Sequence, residues 1–290
     1  MCRFIAYKGT PILLDDLLFK PKHSLIQQSY HAQELEEPLN GDGFGIGWYS
    51  QEVNPAPAVF VSTTPAWNNR NLKSMSPRIK SNCLFAHVRA ASMGDISEAN
   101  CHPFQFGNWM FMHNGGIEGF AFIKRQVQQQ LSNSVFNWLR GQTDSEHFFG
   151  MFMEQILPKQ DTAGPAEVMA AMEVCVRTIT AMKSQLGIQE PTYLNTCVTN
   201  GKFLVGTRCI VYSPGVLKEE EAPSLYFSAG KQYVCEGNSC RMVDQGKDKQ
   251  SAMIVSERLT DNGEDWVKIP ENHFVIIHPN LAAQVVPMQI

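Results

Sequence analysis

The period of the hydrophobic residues changes twice along this chain, and that order constrains the fold more than any other feature. Short, apolar, strand-like segments occupy residues 2–7, 58–62, 83–88 and 109–113. The spacing then becomes helical at 120–131, 143–157 and 165–186, the last placing Val168, Met172, Cys175, Ile179, Met182 and Leu186 on one stripe. Strand signals return at 192–199, 202–212, 225–228, 252–256, 273–278 and 284–286, with Asn200-Gly201 as a turn between the first two. A doubly wound parallel sheet would alternate the two periods regularly, so strands, helices, then strands again predict a layered α+β architecture. No repeat, low-complexity tract or linker interrupts the sequence, which predicts one domain over residues 1–290. Thr10-Pro11 followed by Leu13, Leu14, Leu17 and Leu18 predicts a capped helix close behind the first strand.

Composition narrows the class. With 43% hydrophobic and 18% charged residues among 290, the chain can bury a sizeable core. A net charge of -4, with no run of five or more like charges, provides no whole-protein attraction to nucleic acid or anionic lipid. The first residues lack the apolar core of a signal peptide, and the longest apolar runs, such as 274–277, are far too short to span a bilayer. The expectation is a cytoplasmic enzyme with neither nucleic acid nor membrane as a partner. Its eight cysteines are scattered, which argues against a disulfide framework and for mostly buried thiols. Cys235 and Cys240 could begin a zinc site, but no second Cys/His pair of suitable spacing stands nearby.

Glycine at every second position in Gly41-Asp42-Gly43-Phe44-Gly45-Ile46-Gly47 puts all four on one face of a strand, where a backbone or a ligand comes close. The segment is a poor dinucleotide-binding loop, because no strand leads into it and no helical pattern follows.

Four constellations could carry chemistry, and each also has a plain structural reading. Cys2 becomes the N-terminal residue if Met1 is removed, and then owns an α-amine of pKa about 7.7–8.0 that can serve as base for its own thiol. Its plain reading is the first inward residue of a strand. Arg89, in His87-Val88-Arg89, follows an apolar strand where its planar fork suits a carboxylate; the alternative is a surface salt bridge. Asn114 and Gly115, in His113-Asn114-Gly115-Gly116, offer an amide and a backbone N–H to a developing oxyanion, or else form a simple turn. In Thr143-Asp144-Ser145-Glu146, Thr143 and Glu146 have the spacing of a capping box. Asp144 either complements the helix dipole or points outward to hold an ammonium group.

An N-terminal Cys, His-x-Arg, His-Asn-Gly and Thr-Asp-Ser-Glu, in this order and at these intervals, resemble the class II glutamine amidotransferases. The Cys-Arg-Phe start, Asp42-Gly43-Phe44-Gly45-Ile46-Gly47-Trp48-Tyr49, Asn100-Cys101-His102-Pro103-Phe104 and Ser256-Glu257-Arg258-Leu259 look like the compact YafJ-type members of that family. The resemblance implies the N-terminal-nucleophile hydrolase fold, a four-layer αββα sandwich of two stacked antiparallel sheets. It implies Cys2 as nucleophile, Asn114 and Gly115 as oxyanion hole, Arg89 on the substrate α-carboxylate and Asp144 on the α-ammonium. It implies neither metal nor organic cofactor. The expected substrate is a small molecule, glutamine or a γ-glutamyl amide. Where the family's sugar-phosphate synthases carry Trp and His after the arginine, this chain has Ala90 and Met93, so its pocket differs there. The single domain leaves no room for a synthase domain, so the chain either acts alone as an amidohydrolase or serves a synthase or acceptor-binding partner. Two further readings stay open: a catalytically silent γ-glutamyl-binding module, and a cysteine protease using His87, His102 or His113.

Overall fold

The computed structural model describes every residue except Met1, 35–38, Ser92, Glu219, Asn238, Gln245 and 247–249. The chain begins β1 (Arg3–Leu13), α1 (Leu14–Leu18), α2 (Leu25–Tyr30), β2 (Phe44–Ser50), β3 (Asn54–Ser62), α3 (Arg70–Met75), β4 (Lys80–Val88), β5 (Phe104–Phe106) and β6 (Trp109–Ile117). Four helices follow: α4 (Phe120–Gln129), α5 (Asn133–Trp138), α6 (Asp144–Ile156) and α7 (Pro165–Gln185). It then returns to strands: β7 (Thr192–Thr199), β8 (Leu204–Arg208), β9 (Ile210–Val211), β10 (Tyr226–Glu236), β11 (Ser239–Val243), β12 (Ser251–Val255), β13 (Val267–Lys268), β14 (His273–Ile277) and β15 (Ala283–Pro287).

These strands form two antiparallel sheets. One has the order β11-β10-β12-β1-β4-β2-β3, with β13 beside β10; the other is β15-β14-β8-β7-β6-β5, with β9 beside β7. Both faces of the central strands are apolar, which is why residues 83–88 and 109–113 read as continuous hydrophobic runs rather than alternations. In β1, Phe4 and Ala6 face the opposite sheet, while Ile5 and Tyr7 pack on Leu14 and Leu17 of α1 and Leu25 of α2. In β6, Met110 and Met112 face the first sheet, while Trp109 and Phe111 pack on Phe148, Phe149 and Phe152 of α6 and on the helical layer of α4 and α7. The result is helix, sheet, sheet, helix, with three apolar contact zones, as the family resemblance implied.

Several local expectations need correction. Thr10-Pro11 does not begin a helix: Thr10 N–H donates to the Gln250 carbonyl at 2.9 Å, and β1 continues to Leu13, opposite Lys80. The helix starts at Leu14 with no side-chain cap. Sheet pairing of Thr10 and Leu13 therefore prevails over the local Thr-Pro signal. The expected strand 202–212 is two, broken at Cys209: β8 lies between β14 and β7, and β9 pairs with the start of β7. The segment at 225–228 is the start of an 11-residue strand that turns into β11. In that hairpin Cys235 lies opposite Cys240 with Cα atoms 4.1 Å apart, and the two form a disulfide. Expecting mostly buried thiols and weighing a metal overlooked this pairing, which a hairpin register creates without any disulfide framework. The other six cysteines are free, and all of them except Cys2 are buried.

Candidate active site

The glycines of β2 determine how closely the sheets meet. A Cβ built on Gly45 would lie 2.1 Å from the His102 carbonyl oxygen, and one on Gly47 would lie 2.4 Å from Met110 Sδ. The predicted close approach is therefore the backbone at 102 and strand β6 pressing on the bare face. His102 enters through this gap and lies on His87, ring centroids 4.3 Å apart.

Cys2 sits at the open end of β1. Arg3 pairs with Val88 in the sheet register, which carries Cys2 to the residues just past β4. Its thiol lies 3.4 Å from the Ala90 N–H, which donates to it, and 3.5 Å from the Ala90 carbonyl, which accepts from it. Burial pushes the thiol pKa up, against the Ala90 contact and the positive charges of Arg89 and Arg3, which lower it. Met1, whose removal the nucleophile reading needs, lies outside the described residues.

Arg89 is buried, at 3% exposure, and is not a surface salt bridge. Its Nη1 and Nη2 donate to the carbonyls of Asp95 and Met93 at 3.2 and 2.9 Å. Among the described residues no carboxylate lies within ion-pair distance of it. A guanidinium this well buried normally has a charged partner, so the site is short of one negative charge.

The facing wall is β6. His87 Nε2 donates to the His113 carbonyl at 3.2 Å, which sets the end of β4 against residues 113–115. Asn114 is fully buried, and neither its Oδ1 nor its Nδ2 has a partner among the described residues. Leaving a buried amide unsatisfied costs roughly 1–3 kcal/mol, so a group outside the protein is its natural partner. Gly115 has φ +152°, and a Cβ there would lie 2.2 Å from the Tyr193 carbonyl oxygen, so only glycine fits. The Asn-Gly pair is thus not a turn but an uninterrupted part of β6.

Asp144 opens α6 behind that wall, 5% exposed. Its Oδ2 accepts from the Ile117 N–H at 2.7 Å, and its Oδ1 from the Ser145 N–H at 2.8 Å. It ties helix to strand; the Ser145 hydroxyl also lies 3.3 Å from Oδ1, so it is Oδ2 that keeps a lone pair for another donor. Thr143 caps α6 through the Glu146 N–H at 3.2 Å, as predicted. Glu146 does not complete the box: it reaches past Thr143 to accept from the N–H groups of Arg140 and Gly141, both at 2.8 Å.

The three histidines stay neutral. Burial lowers His87 to about 3 and holds His102 well below the ordinary range; it also lowers His113, opposed by the Asp144 charge. His113 donates from Nε2 to the Tyr193 carbonyl and meets the Ser145 hydroxyl through Nδ1, both at 2.8 Å. None of them touches Cys2 Sγ, whose hydrogen-bond partners are the peptide groups of Ala90, so the protease reading lacks its base.

Two residues that carry this site went unremarked as site residues. Arg3 Nε donates to Glu257 Oε1 at 2.7 Å, and Arg3 Nη1 holds the Cys2 carbonyl at 2.9 Å. The signal was present in Cys-Arg-Phe and Ser-Glu-Arg-Leu, but nothing in the sequence says that they meet. A cavity of about 340 Å³ opens beside Gly115, Gly116 and Arg3, rimmed by Glu34, Glu118 and Glu220. A larger one of about 740 Å³ between α7 and β9 contains none of the predicted site residues. No cluster of three or more metal-binding side chains occurs among the described residues, nor any helix long and apolar enough to cross a membrane.

The sequence pattern of the "Glutamine amidotransferases class-II" family matches residues 24–286. The Saccharomyces cerevisiae protein "Probable glutamine amidotransferase DUG3" is 37% identical over 299 residues, covering 96% of this chain and 82% of that one. The gamma-glutamyl-hercynylcysteine sulfoxide hydrolase of Mycolicibacterium smegmatis is 34% identical over 120 residues, 41% of this chain and 52% of the relative. A glutamine aminotransferase class-II domain protein from Silicibacter pomeroyi superposes with a TM-score of 0.68 at 22% identity, over 99% of this chain and 98% of its own, and shares its fold.

Proposed function

Because the chain belongs to the class II glutamine amidotransferases, we propose that it hydrolyses the γ-amide of glutamine or of a γ-glutamyl amide through Cys2, once loss of Met1 frees the Cys2 α-amine. The observation that carries this reading is the Cys2 thiol held against the peptide of Ala90, next to a buried Arg89 that has no carboxylate within ion-pair distance among the described residues. An amino-acid α-carboxylate provides the missing charge and takes the guanidinium fork bidentately. Asp144 accepts the α-ammonium through the remaining lone pair of Oδ2, so the substrate head spans from Arg89 to Asp144.

The chemistry follows from the protonation states. Burial keeps the thiol protonated near neutral pH, so it needs a base at the moment of attack. With none of the neighbouring histidines hydrogen-bonded to the Cys2 thiol, the α-amine of Cys2 is that base. It takes the thiol proton as sulfur bonds to the γ-carbonyl carbon, and the carbonyl oxygen becomes an oxyanion accepting from Asn114 Nδ2 and the Gly115 N–H. The ammonium then donates its proton to the leaving nitrogen, and the carbon–nitrogen bond breaks to give a thioester. Water adds to that thioester by the same route, releasing glutamate and restoring the thiol. The family relation to a gamma-glutamyl-hercynylcysteine sulfoxide hydrolase supports substituted γ-glutamyl amides as substrates beside glutamine. A separate synthase or acceptor-binding protein is the expected consumer wherever ammonia or an amine is passed on.

Intact-mass measurement before and after treatment with diazo-oxo-norleucine tests this directly. The expected result is loss of Met1 and a single adduct on Cys2. Retained Met1, or no adduct on Cys2, replaces the enzyme reading with a γ-glutamyl-binding module or a subunit that requires its partner.

A further inference from the structure

Resting on the nucleophile reading above, we infer that Glu257 is a positioning residue, which acts through Arg3 to set the backbone from which Cys2 attacks. Six hydrogen bonds carry the assignment. The Arg3–Glu257 pair is almost fully buried, its side chains 1% and 5% exposed, and its N···O distance is 2.7 Å. The same guanidinium donates from Nη1 to the carbonyl of Cys2 at 2.9 Å. One residue earlier, Ser256 holds Phe4 on both sides: its hydroxyl accepts from the Phe4 N–H and its own N–H donates to the Phe4 carbonyl, each at 3.1 Å. Glu257 in turn accepts from the N–H groups of Gln33 and Glu34, at 3.0 and 3.2 Å, and Glu34 lines the cavity beside Gly115.

A terminal residue is ordinarily the least ordered part of a chain. Here a nucleophile whose base is its own amine needs both atoms held at once, because sulfur and nitrogen share one Cα. Fixing the Cys2 carbonyl removes the ψ freedom that would otherwise swing the amine and thiol away from the carbonyl carbon. Arg3 performs that hold with one edge of its fork while Glu257 holds the other edge, a geometry that a lysine ammonium cannot duplicate. The carboxylate thus links the nucleophile to the loop at 33–34 that borders the cleft.

The test measures glutamine hydrolysis on full-length protein whose Met1 removal is verified by intact mass, in Arg3→Lys and in the double variant Arg3→Met/Glu257→Met. Arg3→Lys keeps the ion pair and loses the grip on the Cys2 carbonyl. The double variant removes both buried charges together, so neither is left unpaired. Each is expected to fold and to lose about 10- to 100-fold in kcat with KM within about twofold, since misplacement of the nucleophile by 1 Å reaches this size. The rate of Cys2 labelling by diazo-oxo-norleucine falls in parallel. Wild-type kcat in either folded variant overturns the assignment, and so does failure of both to fold, which would make the pair part of the scaffold alone. Turnover by Cys2→Ala would instead sink the nucleophile reading beneath it.

Discussion

Arg3 and Arg89 are both buried guanidinium groups within one residue of a paired position on adjacent strands, and they are neutralised in opposite ways. Arg3 has its carboxylate in the protein, Glu257, and spends a further N–H on the Cys2 carbonyl. Among the described residues, Arg89 has the carbonyls of Met93 and Asp95, which satisfy hydrogen bonds without cancelling charge. A compensated cation is part of the frame; an uncompensated one is reserved for something that arrives. On the proposed reading, the difference separates a residue that holds the nucleophile from one that holds the substrate, although both side chains are nearly inaccessible in the free protein.

The largest expected effect breaks the pair at one end. Arg3→Met strands Glu257 as a buried charge and should cost about 3–5 kcal/mol of stability, against about 1–3 kcal/mol for Arg89→Met, which frees only two carbonyls. Urea melts of the two variants would decide it, and equal losses would erase the distinction. Next comes the neutral wall: Asn114→Ala should lower kcat by about 10²–10³ with little change in KM, because its amide acts on charge that exists only in the transition state. Arg89→Lys should lower kcat/KM by about 10- to 100-fold chiefly through KM, and an amide lacking the α-carboxylate should bind wild type and variant alike. A loss confined to kcat would move Arg89 from anchor to oxyanion donor.

The smallest effect is on pH dependence. Burial lowers His87 to about 3 and also lowers His102, with the Arg89 charge adding to both. The folded state then binds fewer protons than the unfolded chain below the ordinary histidine value of about 6.5. The stability from His87 is therefore complete above that pH and lost as pH falls towards 3, at about 1.4 kcal/mol per pH unit. Replacing it by Gln should flatten the fall between pH 6 and pH 4 by up to that slope. An unchanged slope would assign the acid sensitivity to other groups.

Much of this was legible in the sequence because it is local. The three long helices fall where the 3.6-residue period placed them, within two residues at each end, and the four-layer arrangement accords with the order of periods. The helices that escaped, Leu25–Tyr30, Arg70–Met75 and Asn133–Trp138, have six residues each, too few to show a period. Thr10 was misread because sheet pairing, a long-range contact, outweighs a local cap signal. Cys235 and Cys240 were misread because a disulfide depends on a register that spacing alone does not specify.

For the site, the chain by itself determined the residue types and their order: Cys2, Arg89, Asn114-Gly115 and the Asp144 helix start are each readable as chemistry in a short window. Only the tertiary structure decided which cation is free. The partners Arg3 and Glu257 are 254 residues apart in the chain, and it is the packing of two sheets around Arg89 that leaves it without a carboxylate among the described residues. Charge compensation is a property of three-dimensional neighbours, so it becomes visible only when the strands are paired.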